Sequence, residues 1–365
     1  MIVPRGLLAL AAASGFLLWG CAPPAVGRTS LAAAQPIEVT RDCPQLADIG
    51  SICGPVGVED LVQLPGSHWM LGGGLSFGAP AHFHAVDAES LRAFAIDWVS
   101  ASQAGQSRAG CLGPPDKARL SINGLALTPA VDRTAILYAA NHGDRNAVEV
   151  FALDWRDAEA APRMQWQDCI VLPQGGEANA IGLLPGNGIA VSLFPSLQDQ
   201  AAWARMERGE PAGEILLWRP GEEQRRLDAG PISGPNGLFA STAEALLYVS
   251  DWAGRQIVSV DLNTGERKVF ALDLLPDNIH QQADGTLLVT GQRTTPAAIA
   301  ACTGPVCMQD WAILRLDPAT GTIATLLERR GEAAASYGAS AVTWNNRLFV
   351  TVRGDNRILH TEWPH

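Results

Sequence analysis

Short runs in which hydrophobic and polar residues alternate recur along most of the chain, each bounded by Gly, Asn, Asp or Pro. Two clear examples are Gln256 to Leu262 and Ala312 to Asp317, and a Thr-Gly pair follows each of them. Alternation with a period of two is typical of β-strands, and the bounding residues favour tight turns. The pattern therefore predicts an all-β protein.

The predicted strands are organised in a repeat. Each copy is a segment that begins with a polar residue, usually Asn, and ends in an alternating β run. Successive copies begin 42 to 64 residues apart. The six copies begin at Glu59, Asn123, Asn179, Asn236, Asn278 and Ser340. Repeats of about four strands each are typical of a β-propeller, whose blades surround a central channel. We therefore expect a six-bladed β-propeller.

One segment is typical of a helix. Between Ser196 and Arg208, apolar residues such as Ala201, Ala204 and Met206 are spaced among polar ones. The segment interrupts the third repeat directly after its first strand, which predicts a short helical insert that caps one mouth of the channel.

The N-terminus is typical of an export signal. Arg5 precedes an apolar run that is short for a membrane span, and Leu18-Trp19-Gly20-Cys21 resembles a bacterial lipobox. We expect a signal peptide over residues 1–20, lipidation of Cys21, a linker over 21–42 and a propeller domain over 43–365. The alternative is ordinary cleavage after Ala32 to Ala34. Either route exports the chain, and we expect it in the periplasm of a bacterium or at its outer membrane. Its only contact with a membrane would be the lipid on Cys21.

Export gives the cysteines a consistent interpretation. Without Cys21, an even number remains, which indicates disulfides in an oxidising compartment. These residues are Cys43, Cys53, Cys111, Cys169, Cys302 and Cys307. Pairing Cys43 with Cys53 and Cys302 with Cys307 closes two short loops and leaves Cys111 for Cys169, although other pairings stay open. A metal cluster is disfavoured because no C-x-x-C pair is present.

Composition excludes several function classes. The chain has 26 Lys and Arg residues against 37 Asp and Glu, a net charge of −11, and no basic patch to bind nucleic acid. A hydrophobic fraction of 47% excludes disorder. The absence of a G-x-S-x-G nucleophile elbow argues against a serine esterase.

The residues that open the repeats predict a metal site. The first strand of each propeller blade lines the channel, so these residues, with Asp277 directly before Asn278, converge on one ring. Ca²⁺ takes 6–8 carboxylate and amide oxygens, whereas zinc or copper would need His or Cys, which none of the six positions has. In the alternative interpretation, Asn-Gly and Asp-Asn simply form turns before strands.

These segments resemble the calcium-dependent six-bladed propeller hydrolases, above all the paraoxonase/arylesterase branch, with gluconolactonases, regucalcin and strictosidine synthase as more distant relatives. The similar segments are Val58-Glu59-Asp60-Leu61, Asn141-His142-Gly143, Val148-Glu149-Val150-Phe151, Ala178-Asn179-Ala180-Ile181, Gly234-Pro235-Asn236-Gly237, Pro276-Asp277-Asn278-Ile279 and the closing Gly338 to Val350. Together they extend from Gly57 to the C-terminus.

The resemblance implies a role for each matched residue. Its catalytic calcium ligands would be Glu59, Asn179, Asn236, Asp277 and Asn278. His142 matches one member of the branch's histidine pair, but Asn123 stands where the other would be and is left as a channel contact. Asp60 matches an acid of a second, structural calcium site, whose other acid is replaced by Ala180.

The implied function is calcium-dependent hydrolysis of lactones or aryl esters by a monomer. Ca²⁺ would act as a Lewis acid on the carbonyl, with His142 as the general base and Glu59 or Asp277 as substitutes. Two alternatives remain: a non-catalytic exported propeller that binds a ligand or a protein partner, and an enzyme similar to strictosidine synthase.

Overall fold

The computed structural model describes residues 35–76, 81–101, 110–196, 198–241, 244–302, 304, 306–331 and 335–363. Over these residues the chain forms six β-sheets, and the inner strand of each sheet contacts the inner strand of the next, around to the first. This closed ring is a six-bladed β-propeller, as the repeat predicts. The predicted signal peptide and Cys21 lie outside the described residues.

Most of the strands follow one another in the order expected of successive blades. In chain order they are β1 Ile37–Glu38, β2 Gly50–Cys53, β3 Val58–Gln63, β4 Trp69–Gly74, β5 Phe83–Asp87, β6 Arg92–Ile96, β7 Trp98–Ser100, β8 Ile122–Leu127, β9 Thr134–Asn141, β10 Ala147–Asp154, β11 Arg163–Val171, β12 Glu177–Leu184, β13 Gly188–Phe194, β14 Glu214–Trp218, β15 Arg225–Arg226, β16 Pro235–Ser241, β17 Leu246–Asp251, β18 Gln256–Asp261, β19 Arg267–Ala271, β20 Leu275–Gln281, β21 Leu287–Gln292, β22 Trp311–Leu316, β23 Ile323–Arg329, β24 Gly338–Trp344, β25 Arg347–Val352 and β26 Arg357–Glu362.

In each blade, the inner strand at the channel contains the residue that opens one copy of the repeat. From the channel outward, blades 1 to 6 are β3-β4-β5-β6-β1, β8-β9-β10-β11-β7, β12-β13-β14-β15, β16-β17-β18-β19, β20-β21-β22-β23 and β24-β25-β26-β2. Neighbouring strands pair antiparallel, except that β7 joins β11 in parallel. The central strands are covered on both faces by adjacent blades, and all eight residues of β10 are buried.

The two ends of the propeller meet in one sheet. Strand β2 pairs with β26, with Gly50 opposite His360 and Cys53 opposite Arg357, and so supplies the outer strand of blade 6. Strand β1 pairs with β6 at the outer edge of blade 1, although it lies within the predicted linker over residues 21–42. The ring is therefore closed by hydrogen bonds between the N-terminal and C-terminal parts of the domain.

The predicted helical insert contains helix α1, Gln200–Glu207, whose first turn is capped by the Asp199 side chain. The helix follows β13, the second strand of blade 3, and not the first strand as the sequence suggested. It packs against α2, Pro296–Ala300, which is too short to show a helical period in the sequence. That α1 caps the channel stays a prediction. No helix among the described residues is both long and apolar enough to cross a membrane.

The three expected disulfides are present. Cys43 pairs with Cys53 on β2, Cys111 with Cys169 on β11, and Cys302 with Cys307 in the loop after α2. The pairing suggested by loop length is therefore confirmed.

Candidate metal centre

The residues that open the six repeat copies, together with Asp277 and here called the ring, lie where the inner strands are irregular. Each inner strand shifts its register against the second strand of its own blade, as a β-bulge does. The shifts fall between Val58 and Asp60, Ile122 and Leu125, Ala178 and Ile181, Pro235 and Leu238, Pro276 and Ile279, and Gly338 and Ser340. A bulge bends the strand and redirects its side chain. All predicted calcium ligands lie within these bulges.

Two ring residues, Asn123 and Asn236, are each followed by a glycine that allows close packing of the next inner strand. A Cβ on Gly124 would lie 2.5 Å from the carbonyl oxygen of Asn179, and one on Gly237 would lie 2.3 Å from that of Asp277. Both glycines lie inside inner strands, so the Asn-Gly pairs are not simple turns before strands. Glycine is needed because the next inner strand approaches there with no room for a side chain.

Four ring residues from four blades form one contact group. Asn278 Nδ2 lies 3.3 Å from both Glu59 Oε1 and Glu59 Oε2. With its amide nitrogen directed to Glu59, Asn123 donates to Oε2 at 2.6 Å, and its Oδ1 accepts from Asn179 Nδ2 at 3.2 Å. The structure thus brings together residues that are up to 219 positions apart in the sequence.

Three other oxygens of the ring have no such partner. Asn179 Oδ1, Asn236 Oδ1 and Asp277 Oδ1 are buried, and none has a hydrogen-bond partner among the described residues. Because burying an unpaired polar atom costs free energy, such atoms need an explanation. They come from three consecutive blades and are carboxylate or amide oxygens, the donors that Ca²⁺ prefers. The residues present therefore fit a bound calcium ion.

The donor set also disfavours softer metals. Among the described residues, no three His, Cys, Asp or Glu side chains form a group that could hold a metal ion. A metal in this ring would be bound largely by amide oxygens, with Glu59 and Asp277 supplying the charge. This combination suits a hard cation and not zinc or copper.

The two ring carboxyl groups hold protons unusually tightly. Burial raises the pKa of Glu59 well above its usual range, and the charges of Asp277 and Asp60 add to this effect. Burial also raises the pKa of Asp277 to about 7, against the opposing hydrogen bond from Gln292 and charge of Arg353. A bound cation would favour the charged form of both groups.

Asp60, the predicted ligand of a second metal, makes four hydrogen bonds. Its Oδ1 accepts from the backbone N–H of Leu61 at 2.8 Å and from Ser340 Oγ at 2.7 Å, and it lies 3.0 Å from His280 Nε2. Its Oδ2 accepts from the backbone N–H of Leu125 at 2.9 Å. These contacts link blades 1, 2, 5 and 6 through protein atoms alone. A second metal at Asp60 stays a prediction.

His142 lies at the rim of the ring between blades 2 and 3. Its backbone N–H donates to Ser121 at 3.1 Å, and its Nδ1 is 4.0 Å from Glu177 Oε2. Ser121 and Glu177 each precede a ring residue, Asn123 and Asn179 respectively, by two positions. Burial lowers the pKa of His142, and the charge of Glu177 opposes this. These two contacts of His142 are therefore with residues beside the ring and not with Glu59 or Asp277.

A set of hydroxyl groups supports the ring and was not among the residues predicted from the sequence. In three blades a Ser or Thr on the second strand donates to the backbone carbonyl of the bulge in the next blade. The pairs are Ser192 to Asn236 at 2.7 Å, Ser250 to Asp277 at 2.6 Å and Thr351 to Glu59 at 2.6 Å. A recurring Val-Ser or Val-Thr dipeptide in these strands was the available signal.

Comparisons with known proteins support the fold. No family model and no curated protein sequence matches this chain. A gluconolactonase from Xanthomonas campestris is similar in structure, with a TM-score of 0.52 and 15% identity over 91% of this chain and 98% of that one. The calcium-binding protein regucalcin from Agrobacterium tumefaciens gives a TM-score of 0.51 and 15% identity over 92% and 95%. The chain shares their fold. The expected resemblance to six-bladed propellers is thus confirmed at the level of the fold.

Proposed function

We propose that this chain is a calcium-dependent hydrolase of lactones or aryl esters. The observation that carries the proposal is the set of buried, unpaired oxygens on Asn179, Asn236 and Asp277, which lie in the bulges of three successive inner strands. Glu59 and Asn278 lie in the corresponding bulges of blades 1 and 5 and contact each other. The similarity in fold to a gluconolactonase and to a calcium-binding regucalcin supports the same conclusion. The substrate would be a small lactone or ester.

The metal would be held by Glu59, Asn179, Asn236, Asp277 and Asn278, with Asn123 as a further contact in the channel. When bound, Ca²⁺ supplies Lewis-acid stabilisation of the negative charge that develops on a carbonyl oxygen under attack by water. The chain contributes a buried ring that excludes bulk water and fixes the donor groups, since each lies in a bulge of a packed strand.

His142 is our candidate for the general base. Burial lowers its pKa, so the imidazole is neutral near pH 7 and can accept a proton. Glu177, 4.0 Å from Nδ1, would stabilise the imidazolium that forms, and Nε2 is left to take the proton. Glu59 and Asp277 are weaker candidates because ligation to a cation lowers the basicity of a carboxylate.

We also propose that the chain is exported and monomeric. Three disulfides support an oxidising compartment. Anchoring through a lipid on Cys21 remains part of this proposal.

The test is an assay of the full chain against a panel of lactones and aryl esters, with and without a calcium chelator. We expect hydrolysis of at least one lactone, its loss in chelator and its recovery when Ca²⁺ is restored. Asn278→Ala should lower kcat/KM about tenfold or more, because loss of a ligand should cost at least as much as loss of a group that hydrogen-bonds to one. Asn263→Ala, in an exposed turn, is the control and should leave activity unchanged. Unchanged activity in excess chelator would contradict the proposal, and calcium binding without hydrolysis would favour a non-catalytic propeller.

A further inference from the structure

Gln292, the last residue of β21, forms hydrogen bonds both to the ring residue Asp277 and to Trp252, which lies outside the ring. Its side chain is buried, and Nε2 donates to Asp277 Oδ2 at 2.7 Å and to the backbone carbonyl of Gly338 at 3.0 Å. Its Oε1 accepts from Trp252 Nε1 at 3.0 Å. The amide thus uses its acceptor and both of its N–H groups.

The contacts of Gln292 fix which end of the amide faces Asp277. An indole N–H can only donate, and a backbone carbonyl can only accept. The oxygen of Gln292 must therefore face Trp252, and its nitrogen must face Gly338 and Asp277. If the amide were reversed, three hydrogen bonds would be lost.

Trp252 is itself held in place by aromatic packing. Its ring lies 5.4 Å from that of Phe194 and 5.8 Å from that of Trp203, and both pairs meet edge to face. This arrangement is favourable for aromatic side chains and fixes the direction of the Trp252 N–H. A rigid path therefore leads from the aromatic cluster through Gln292 to Asp277.

We propose that Gln292, oriented by Trp252, is a positioning residue that makes Asp277 a one-oxygen ligand of the metal. Asp277 Oδ2 is occupied by the Gln292 amide, so Oδ1 is the oxygen left buried without a partner. Groups that hydrogen-bond to metal ligands orient them and affect metal affinity. This inference rests on the metal centre of the proposed function, but not on its hydrolytic activity.

The chain offers a matched pair of variants to test this role. Trp252 and Trp203 belong to the same aromatic cluster, both are buried, and each donates one indole hydrogen bond. Trp252 donates to Gln292, whereas Trp203 donates to the backbone carbonyl of Ser196 at 3.0 Å. Trp252→Phe and Trp203→Phe each keep an aromatic ring in the cluster and remove one hydrogen bond, and only the first removes a hydrogen bond to Gln292.

The measurement is the Kd for Ca²⁺ of the full chain by isothermal titration calorimetry, with thermal unfolding in chelator as a second readout. We expect Gln292→Leu to weaken calcium binding about 10- to 100-fold, the range seen for groups behind metal ligands. Trp252→Phe should weaken it several-fold, and Trp203→Phe should leave the Kd within about twofold of wild type. Both Trp variants should lower the melting temperature by similar amounts.

The outcomes separate this inference from the proposed function. A wild-type Kd in Gln292→Leu, or equal Kd shifts in the two Trp variants, would overturn the inference. If Gln292→Leu does not fold, the comparison of the Trp variants still decides. A wild-type chain that binds Ca²⁺ without hydrolysing any lactone or aryl ester would contradict the proposed activity alone. A wild-type chain that does not bind Ca²⁺ would overturn both.

Discussion

The carboxyl group of Asp277 links the protonation of the ring to the stability of the protein. Its pKa is raised to about 7 by burial and by the charge of Asp60, whereas an Asp in an unfolded chain titrates near 3.9. The folded state therefore holds this proton more tightly than the unfolded state. Without calcium, protonation of Asp277 stabilises the fold, and this contribution is lost as the pH rises through about 7.

This linkage gives a prediction for the calcium-free protein. In chelator, the free energy of unfolding of wild type should fall between about pH 4 and pH 7 relative to that of Asp277→Asn, by an amount on the order of a few kcal/mol, and the difference should level off at higher pH. The amide variant keeps the shape of the side chain but cannot ionise. The measurement is urea unfolding of both proteins at a series of pH values. Parallel stability curves would show that Asp277 does not carry this raised pKa.

At the scale of single residues, the sequence predicts the ring but not its support. Glu59 and the Asn residues could be found because each opens a copy of the repeat. Gln292 and Trp252 have no counterpart at every repeat, so no periodic signal marks them. Their contact depends on how two blades pack against each other, which a single sequence does not show.

At the scale of elements, the bulges leave backbone carbonyls outside the regular ladder, and hydroxyl groups on the second strands bind to them. A bulge takes residues out of the regular ladder, so their backbone carbonyls need another partner. Thr351 supplies one by donating to the carbonyl of Glu59 at 2.6 Å, and its Oγ1 also accepts from the N–H of Ser340 at 2.9 Å. Thr290 has the equivalent position in β21, but its buried hydroxyl has no partner among the described residues.

These two threonines allow a matched test. Thr351→Val should lower the free energy of unfolding by about 1–3 kcal/mol, because it leaves buried backbone groups without a partner. Thr290→Val removes a hydroxyl that is already unpaired, and the stability should stay within about 0.5 kcal/mol of wild type or rise. Chemical denaturation in chelator measures both. Equal losses would mean that the hydroxyl contacts do not support the bulges.

The sequence predicts elements unequally. The inner two strands of every blade contain one copy of the repeat, which opens in the inner strand and closes in the second strand, and helix α1 lies within the predicted insert. Strand β2 could not be assigned to its sheet, because its partner β26 lies at the other end of the chain. The bulges were not predicted either, because a single sequence does not show which residues of two neighbouring strands are paired.

At the scale of the whole molecule, the candidate metal centre joins blades that the chain connects only at a distance. Glu59 belongs to blade 1 and Asn278 to blade 5, while Asn179 and Asn236 come from blades 3 and 4. An ion bound by all of them would hold the ring together in the folded state and would have no equivalent site in the unfolded chain. A ligand that binds only the folded state stabilises it by mass action.

Thermal unfolding of the full chain in chelator and at increasing Ca²⁺ concentrations tests the calcium centre most directly. The melting temperature of wild type should rise with calcium concentration, by several degrees at about 100 times the Kd, where binding adds about 2.7 kcal/mol. Asn278→Ala should show little or no rise over the same range. Identical melting temperatures of wild type in chelator and in saturating Ca²⁺ would contradict the presence of a calcium centre in the ring.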